Sequence, residues 1–232
     1  MHPPLIEQAV FALAALVLFV SFALLALVRT VSAIHAFAWQ GAFVAAVAAL
    51  AAHLSGDSHL YISAVIIFVL KVVAIPWMLH RLARSLGVSR QADVLPRPIL
   101  TLLTAAALVI FSYWIALPLI RLDTSTTRNV IPVSLAVVLL GLLMMAARRQ
   151  AIAQVLGFMS LENGLFLAAV AATRGMPLVV ELGIAFDLLV AMVLFGIFFL
   201  HIRGSIDSLD VDRLVRLSEG SEEYPQMSED IT

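Results

Sequence analysis

The stretch AIAQVLGFMSLENGLFLAAVAA, residues 151–172, decides how the chain is read. Wound as an α-helix at about 1.5 Å per residue it is about 33 Å long, enough to cross a hydrocarbon core of about 30 Å. It is apolar except at Gln154, Ser160, Glu162 and Asn163, so it places an acid and an amide near the middle of the slab. Outward from it lie six more apolar blocks, at about 8–28, 31–54, 60–79, 99–120, 130–147 and 178–202. The 232 residues are 62% hydrophobic and 12% charged, with a mean hydropathy of +1.06. A soluble domain is about 45–50% apolar and about 25% charged, so a water-soluble globule is excluded. A disordered chain, which needs low hydrophobicity and high charge, is excluded too. Strands of a membrane barrel alternate apolar and polar over about 10 residues; these blocks are continuous and longer, so the spans are helices. The expected fold is an all-α polytopic membrane protein with about seven transmembrane helices.

Short connectors carry the turn chemistry: Gly56-Asp57-Ser58, Pro96-Arg97-Pro98, residues 121–128, Arg148-Arg149, and Arg174-Gly175 ahead of Pro177. With the N-terminus outside, the inner loops and tail hold Arg29, Arg81, Arg84, Arg90, Arg97, Arg148, Arg149, Arg203, Arg213 and Arg216. The outer loops hold only Arg121, Arg128 and Arg174. The positive-inside rule therefore predicts an outside N-terminus and a cytoplasmic C-terminus. Glu7 stands where a signal peptide would be basic, and no small-x-small cleavage site precedes Arg29, so the first block is expected to be a retained helix. The tail from Asp207 is polar and acidic, and its last dozen residues are expected to be disordered.

Several function classes fall away. A net charge of −1 gives no reason to expect a nucleic-acid partner. The absence of cysteine removes disulfides, thiolate-ligated clusters and Cys-based zinc sites. There is no P-loop, no GxGxxG after a strand, no HExxH and no nucleophile triad. His35, His53, His59, His80 and His201 sit near span ends with no pair placed as haem ligands on facing helices. No cofactor and no metal are expected on this chain.

The layout repeats. Spans 1–3 and spans 5–7 each run helix, tight Arg-containing turn, helix, outer loop, helix. Gln40 and Glu162 hold matching places in the middle helices, Lys71 and Asp187 in the third helices. The offset of four helices points both sets the same way through the membrane, unlike the inverted repeats of many transporters. The expected organisation is an N-terminal three-helix repeat over 1–80, a linking helix and loops over 81–129, a C-terminal three-helix module over 130–217, and an acidic tail over 218–232.

Lys71, Glu162 and Asp187 are the formally charged residues deep in the spans, joined by the amides Gln40 and Asn163. Glu162 and Asp187 lie about 18–20 Å from the loop that joins their helices, at one depth. Gln40 and Lys71 share a depth too, counted from Gly56. The reading is a polar belt near the bilayer midplane. A buried charge costs roughly 3 kcal/mol on insertion scales, so three cost roughly 9 kcal/mol. Each must face a partner group, a water-filled cavity or an adjoining subunit. Burial shifts the protonation equilibria of such groups, so a proton relay is one reading. A structural ion pair of Lys71 with a carboxylate of this or a neighbouring chain is the other. Glu181, near the outer end of its helix, is read as an interfacial carboxylate or an accessory relay member, with Asn163 as a further accessory. Pro76 is expected to kink the third span near Lys71.

The runs 155–164 (VLGFMSLENG), 180–187 (VELGIAFD) and 209–214 (LDVDRL) resemble the hydrogenase-4 component E family, membrane subunits of energy-converting [NiFe] hydrogenases and formate hydrogenlyases. The last three helices also resemble the K-type subunit of respiratory complex I and, more distantly, the C-type subunit of multisubunit cation/proton antiporters. The resemblance extends through Gln40 and the 69–76 stretch VLKVVAIP, and so covers nearly the whole chain. It implies a non-catalytic subunit of the membrane arm in a bacterial or archaeal plasma (inner) membrane. Its partners would be antiporter-like and complex I H-type-like membrane subunits, with the redox centres on other chains. It implies that Glu162 and Asp187 belong to a proton or Na+ relay that Lys71 and Gln40 extend. Asp187 stands where the K-type subunit has a glutamate. Residues 1–80 then read as a K-like copy that has lost its acids. A subunit of a cation/proton antiporter and a purely structural scaffold are the alternatives.

Overall fold

Lipid offers the backbone no hydrogen-bond partner, so a continuously apolar chain must satisfy its amides within each segment. The computed structural model describes residues 5–55, 58–85, 97–122, 130–173, 183, 185–193 and 196, and their regular structure is helical. The elements are α1 (Leu5–Ala26), α2 (Thr30–Ser55), α3 (Ser58–Phe68), a π-helical turn (Val69–Ala74), α4 (Ile75–Ser85), α5 (Pro98–Leu122), α6 (Val130–Ala147) and α7 (Ala151–Thr173). Residues 185–193 continue as helix. Among the described residues six spans are long and apolar enough to cross a membrane: α1, α2, the α3-to-α4 rod, α5, α6 and α7. The seventh expected block, 178–202, lies partly outside the described residues. The protein is an all-α polytopic membrane protein. The chain forms two compact units, Met1–Ala191 and Met192–Thr232, and the helices α1 to α7 belong to the first.

Helix α2 lies at the centre, against α1, the α3-to-α4 rod and α7, while α6 packs on α1, α5 and α7. The core between them is built of small side chains, among them Ala14, Val17, Val44, Ala48, Val137 and Leu167. Lipid tails are as apolar as these residues, so helix association depends on close packing and on polar contacts rather than on escape from water. Glycine allows that approach where α6 crosses α7. A Cβ at Gly141 would stand 2.7 Å from the Leu161 nitrogen and 2.8 Å from the Gly157 carbonyl oxygen. Outside this core, Trp39, Trp77 and Trp114 project outward. Helix α4 is amphipathic, burying Ile75, Leu79, Leu82 and Ala83 and exposing Trp77, Arg81 and Arg84.

The third span is interrupted, as Pro76 leads one to expect, but the interruption is a widened turn. Over Val69–Ala74 the bonding shifts to the π pattern, and the Ile75 N–H reaches back to the Leu70 carbonyl. Pro76 has no N–H to give the Val72 carbonyl, and its ring crowds that oxygen. Widening the preceding turn relieves both, and Lys71 lies inside the widened turn.

One arginine counted above as a loop cation proves to be structural. Arg148 is buried, and its Nη2 donates to the Leu25 carbonyl at 2.9 Å and to the Leu27 carbonyl, which caps the end of α1. Beside it the Thr30 hydroxyl donates to Gln150 Oε1 at 3.2 Å. The α1–α2 and α6–α7 turns are thus tied together at one end of the bundle. Replacing Arg148 by Met should lower stability by about 1.5–3 kcal/mol, the worth of buried hydrogen bonds to a charged donor. Replacing the exposed Arg149 by Met should change it by about 0.5 kcal/mol or less. Unfolding of the purified protein in detergent compares the two, and equal effects would rule out the capping role.

Candidate functional site

The widened turn of the third span faces α2 at Gly41. A Cβ there would lie 2.8 Å from the Lys71 Cβ and 3.2 Å from its carbonyl oxygen. The missing side chain lets the two backbones approach and lets the lysine stem pass across α2 toward α7. Its ammonium, 1% exposed as a residue, ends among three oxygens. It ion-pairs with Glu162 through Oε2 and donates to Asn163 Oδ1 at 2.6 Å, both on α7. Asp187 Oδ1, on the 185–193 helix, lies 3.3 Å away in a second ion pair. Asp187 is fully buried, and neither of its oxygens accepts a hydrogen bond from a described residue. It is held by charge.

An uncharged branch leads away from the cation. Asn163 Nδ2 donates to Gln40 Oε1 at 3.1 Å. The Gln40 amide nitrogen donates to Ser21 Oγ at 2.7 Å on α1 and to Ser160 Oγ at 2.9 Å on α7. Gln40 and Asn163 are completely buried, and Glu162, at 6%, is the most accessible member of the belt. Around the 185–193 helix the packing is aromatic. Phe186 lies against Phe158 with ring centroids 5.3 Å apart. A Cβ at Gly183 would stand 3.4 Å from the Phe166 ring and 3.7 Å from Glu162 Oε1.

Lys71, Gln40, Glu162, Asn163 and Asp187 therefore meet in one network. Lys71, Gln40, Glu162 and Asn163 are hydrogen-bonded within this chain, and Asp187 meets Lys71 by charge alone. Glu181 lies outside the described residues. Ser21 and Ser160 were missed. A serine in an apolar helix commonly returns its hydroxyl to a carbonyl of the preceding turn, as Ser112 and Ser134 do here. Nothing in their spacing marks the two that also meet a glutamine. The sequence also gave no reason to pair histidines on facing helices, yet His35 of α2 and His80 of α4 touch edge to face, with centroids 4.9 Å apart. The helices run in opposite directions and each histidine lies five residues from the same end, which brings them level. Among the described residues no group of three or more His, Asp or Glu is arranged to hold a metal ion.

The bundle and its belt define a polytopic all-α membrane protein with a buried cluster of one cation and two acids. The chain is 33% identical over 187 residues to the uncharacterized protein Rv0085 of Mycobacterium tuberculosis, covering 80% of this chain and 85% of that one. It belongs to the same family. It is also 27% identical over 182 residues to the hydrogenase-4 component E of Escherichia coli K12 and to that of Shigella flexneri, covering 78% of this chain and 84% of each relative. No family model matches the sequence, and no solved structure matches the chain.

Removing the cation tests whether the belt holds the fold. Lys71→Met leaves two buried carboxylates unpaired and should cost about 3–5 kcal/mol. Adding Glu162→Met and Asp187→Leu to it should restore stability to at least the starting level, because the charges and their desolvation cost disappear together. Detergent unfolding of the two variants reads this. A single variant as stable as the wild type would show that the ion pairs hold nothing.

Proposed function

We propose that the protein is a membrane-arm subunit of a hydrogenase-like or complex I-like assembly in a bacterial or archaeal plasma membrane. In this reading Glu162 and Asp187 are the acids of a proton or Na+ relay. The observation that carries it is the imbalance of the belt: among the described residues two buried carboxylates share one buried ammonium. An unbalanced charge at this depth is costly, so the resting cluster holds one further positive charge, a proton or a small cation. A site that needs such a charge, between two acids on different helices, is built to accept and release it. The 27% identity to hydrogenase-4 component E over most of both chains supports the setting. The redox centres and the antiporter-like and H-type-like membrane partners belong to other subunits of the assembly. Glu162, the most accessible member, is the point of exchange, and Asp187 stores the charge behind it.

One observation favours a second reading, a structural scaffold. Among the described residues the belt's polar groups already pair α1, α2, the third span and α7 within one chain. The two readings separate on the same experiment. In membrane vesicles carrying the intact parent complex, Glu162→Gln and Asp187→Asn should each lower redox-driven ion transport by about tenfold or more while the complex still co-purifies. Transport at the wild-type level in both variants would leave only the scaffold.

A further inference from the structure

The hydrogen-bond branch that reaches Lys71 has a direction, which the ammonium imposes and the serine end accommodates. Ser21 has one hydroxyl hydrogen and donates it to the Val17 carbonyl at 2.8 Å. Toward Gln40 it can then only accept, so Gln40 turns its NH2 to Ser21 at 2.7 Å. The other N–H of that amide goes to Ser160 at 2.9 Å. The Gln40 carbonyl is left facing Asn163, which donates to it at 3.1 Å. The Asn163 carbonyl is left facing Lys71, which donates at 2.6 Å. Read from the other end the result is the same. An ammonium offers three donors and no acceptor, so Asn163 must present its oxygen to Lys71 and its NH2 to Gln40. Turning over the Asn163 amide would set donor against donor at Lys71. Turning over Gln40 would set donor against donor at Asn163.

Two of the oxygens around Nζ, from Glu162 and Asn163, accept its N–H bonds, and the third, from Asp187, meets it by charge at 3.3 Å. An uncharged amine would leave both carboxylates without their counter-charge. A proton gained or lost at a carboxylate leaves the direction of the branch untouched. We infer that Lys71 is the fixed cation of the belt and not one of its carriers, and that Ser21, Gln40 and Ser160 are positioning residues that hold the Asn163 carbonyl against it. The anchoring of Lys71 stands independently of the relay; only the statement that the two acids are the carriers rests on that reading.

Lys71 is the only lysine in the sequence, so labelling lysine Nζ with 15N in the full-length chain in lipid nanodiscs gives one side-chain signal. That signal should keep the ammonium shift throughout the working pH range, and an amine signal anywhere in it overturns the fixed cation. Exchange of the Nζ hydrogens with deuterated water should speed up about tenfold or more in Gln40→Leu and in Ser21→Ala, while slow backbone amides of α6 and α7 keep their rates. Ser21→Thr, which keeps the hydroxyl, should restore the protection. Unchanged Nζ exchange in Gln40→Leu, or faster exchange spread evenly over the backbone, overturns the positioning role. In vesicles with the parent complex assembled, Lys71→Gln should transport about tenfold less than Lys71→Arg, since a guanidinium keeps a permanent cation at that place, and equal transport in the two overturns the fixed cation. If Glu162→Gln and Asp187→Asn leave transport unchanged, the relay fails, while the nitrogen signal still decides the anchoring of Lys71.

Discussion

A charge placed halfway through hydrocarbon has to be met by its opposite, and this requirement organises the molecule. The Lys71 ammonium is the meeting point. It gathers Glu162 and Asn163 from α7 and Asp187 from the 185–193 helix, and through Asn163 it reaches α2 and then α1. Most of the central helices of the bundle contribute a group, so none can rotate or slide far without leaving a buried polar atom unmatched. In water such a network would compete with solvent. In lipid there is no solvent to compete, and a broken contact has no substitute.

The apolar packing is arranged to make that meeting possible. Gly41 removes a side chain where the lysine stem must pass, and the π-helical turn ahead of Pro76 presents the lysine inward. The close crossing of α6 and α7 at Gly141 and Gly157 fixes the depth of α7, and so of Glu162. At one end of the bundle, Arg148 locks the α6–α7 turn to the end of α1, which holds Ser21 level with Gln40. Small residues and one buried arginine thus set the depth of groups more than a turn away. The belt's chemistry depends on a backbone geometry that none of its own members creates.

The reading as a relay draws its force from arithmetic. One cation between two acids is a cluster with a place for one more charge, and a purely structural pair would be more simply built from one of each. The direction of the Ser21–Gln40–Asn163 branch adds to that reading the proposed division of labour, a fixed lysine beside exchanging acids. The setting proposed for this cluster rests on the 27% identity to hydrogenase-4 component E.

The sequence by itself determined the class of fold and the depth of the site. Apolar blocks of about 20 residues admit only helices in a bilayer, and rise per residue is constant, so counting from the turns places Gln40, Lys71, Glu162 and Asp187 at matching heights. Rotation about each helix axis was not legible, because blocks that are apolar on every side carry no stripe to show which way they face. Only the tertiary structure decided that Lys71 turns toward both acids, that Ser21 and Ser160 join through Gln40, that Arg148 faces inward and that His35 meets His80. Those facts depend on which helices are neighbours and how closely glycine lets them approach, and neither is written in the local pattern of any one segment.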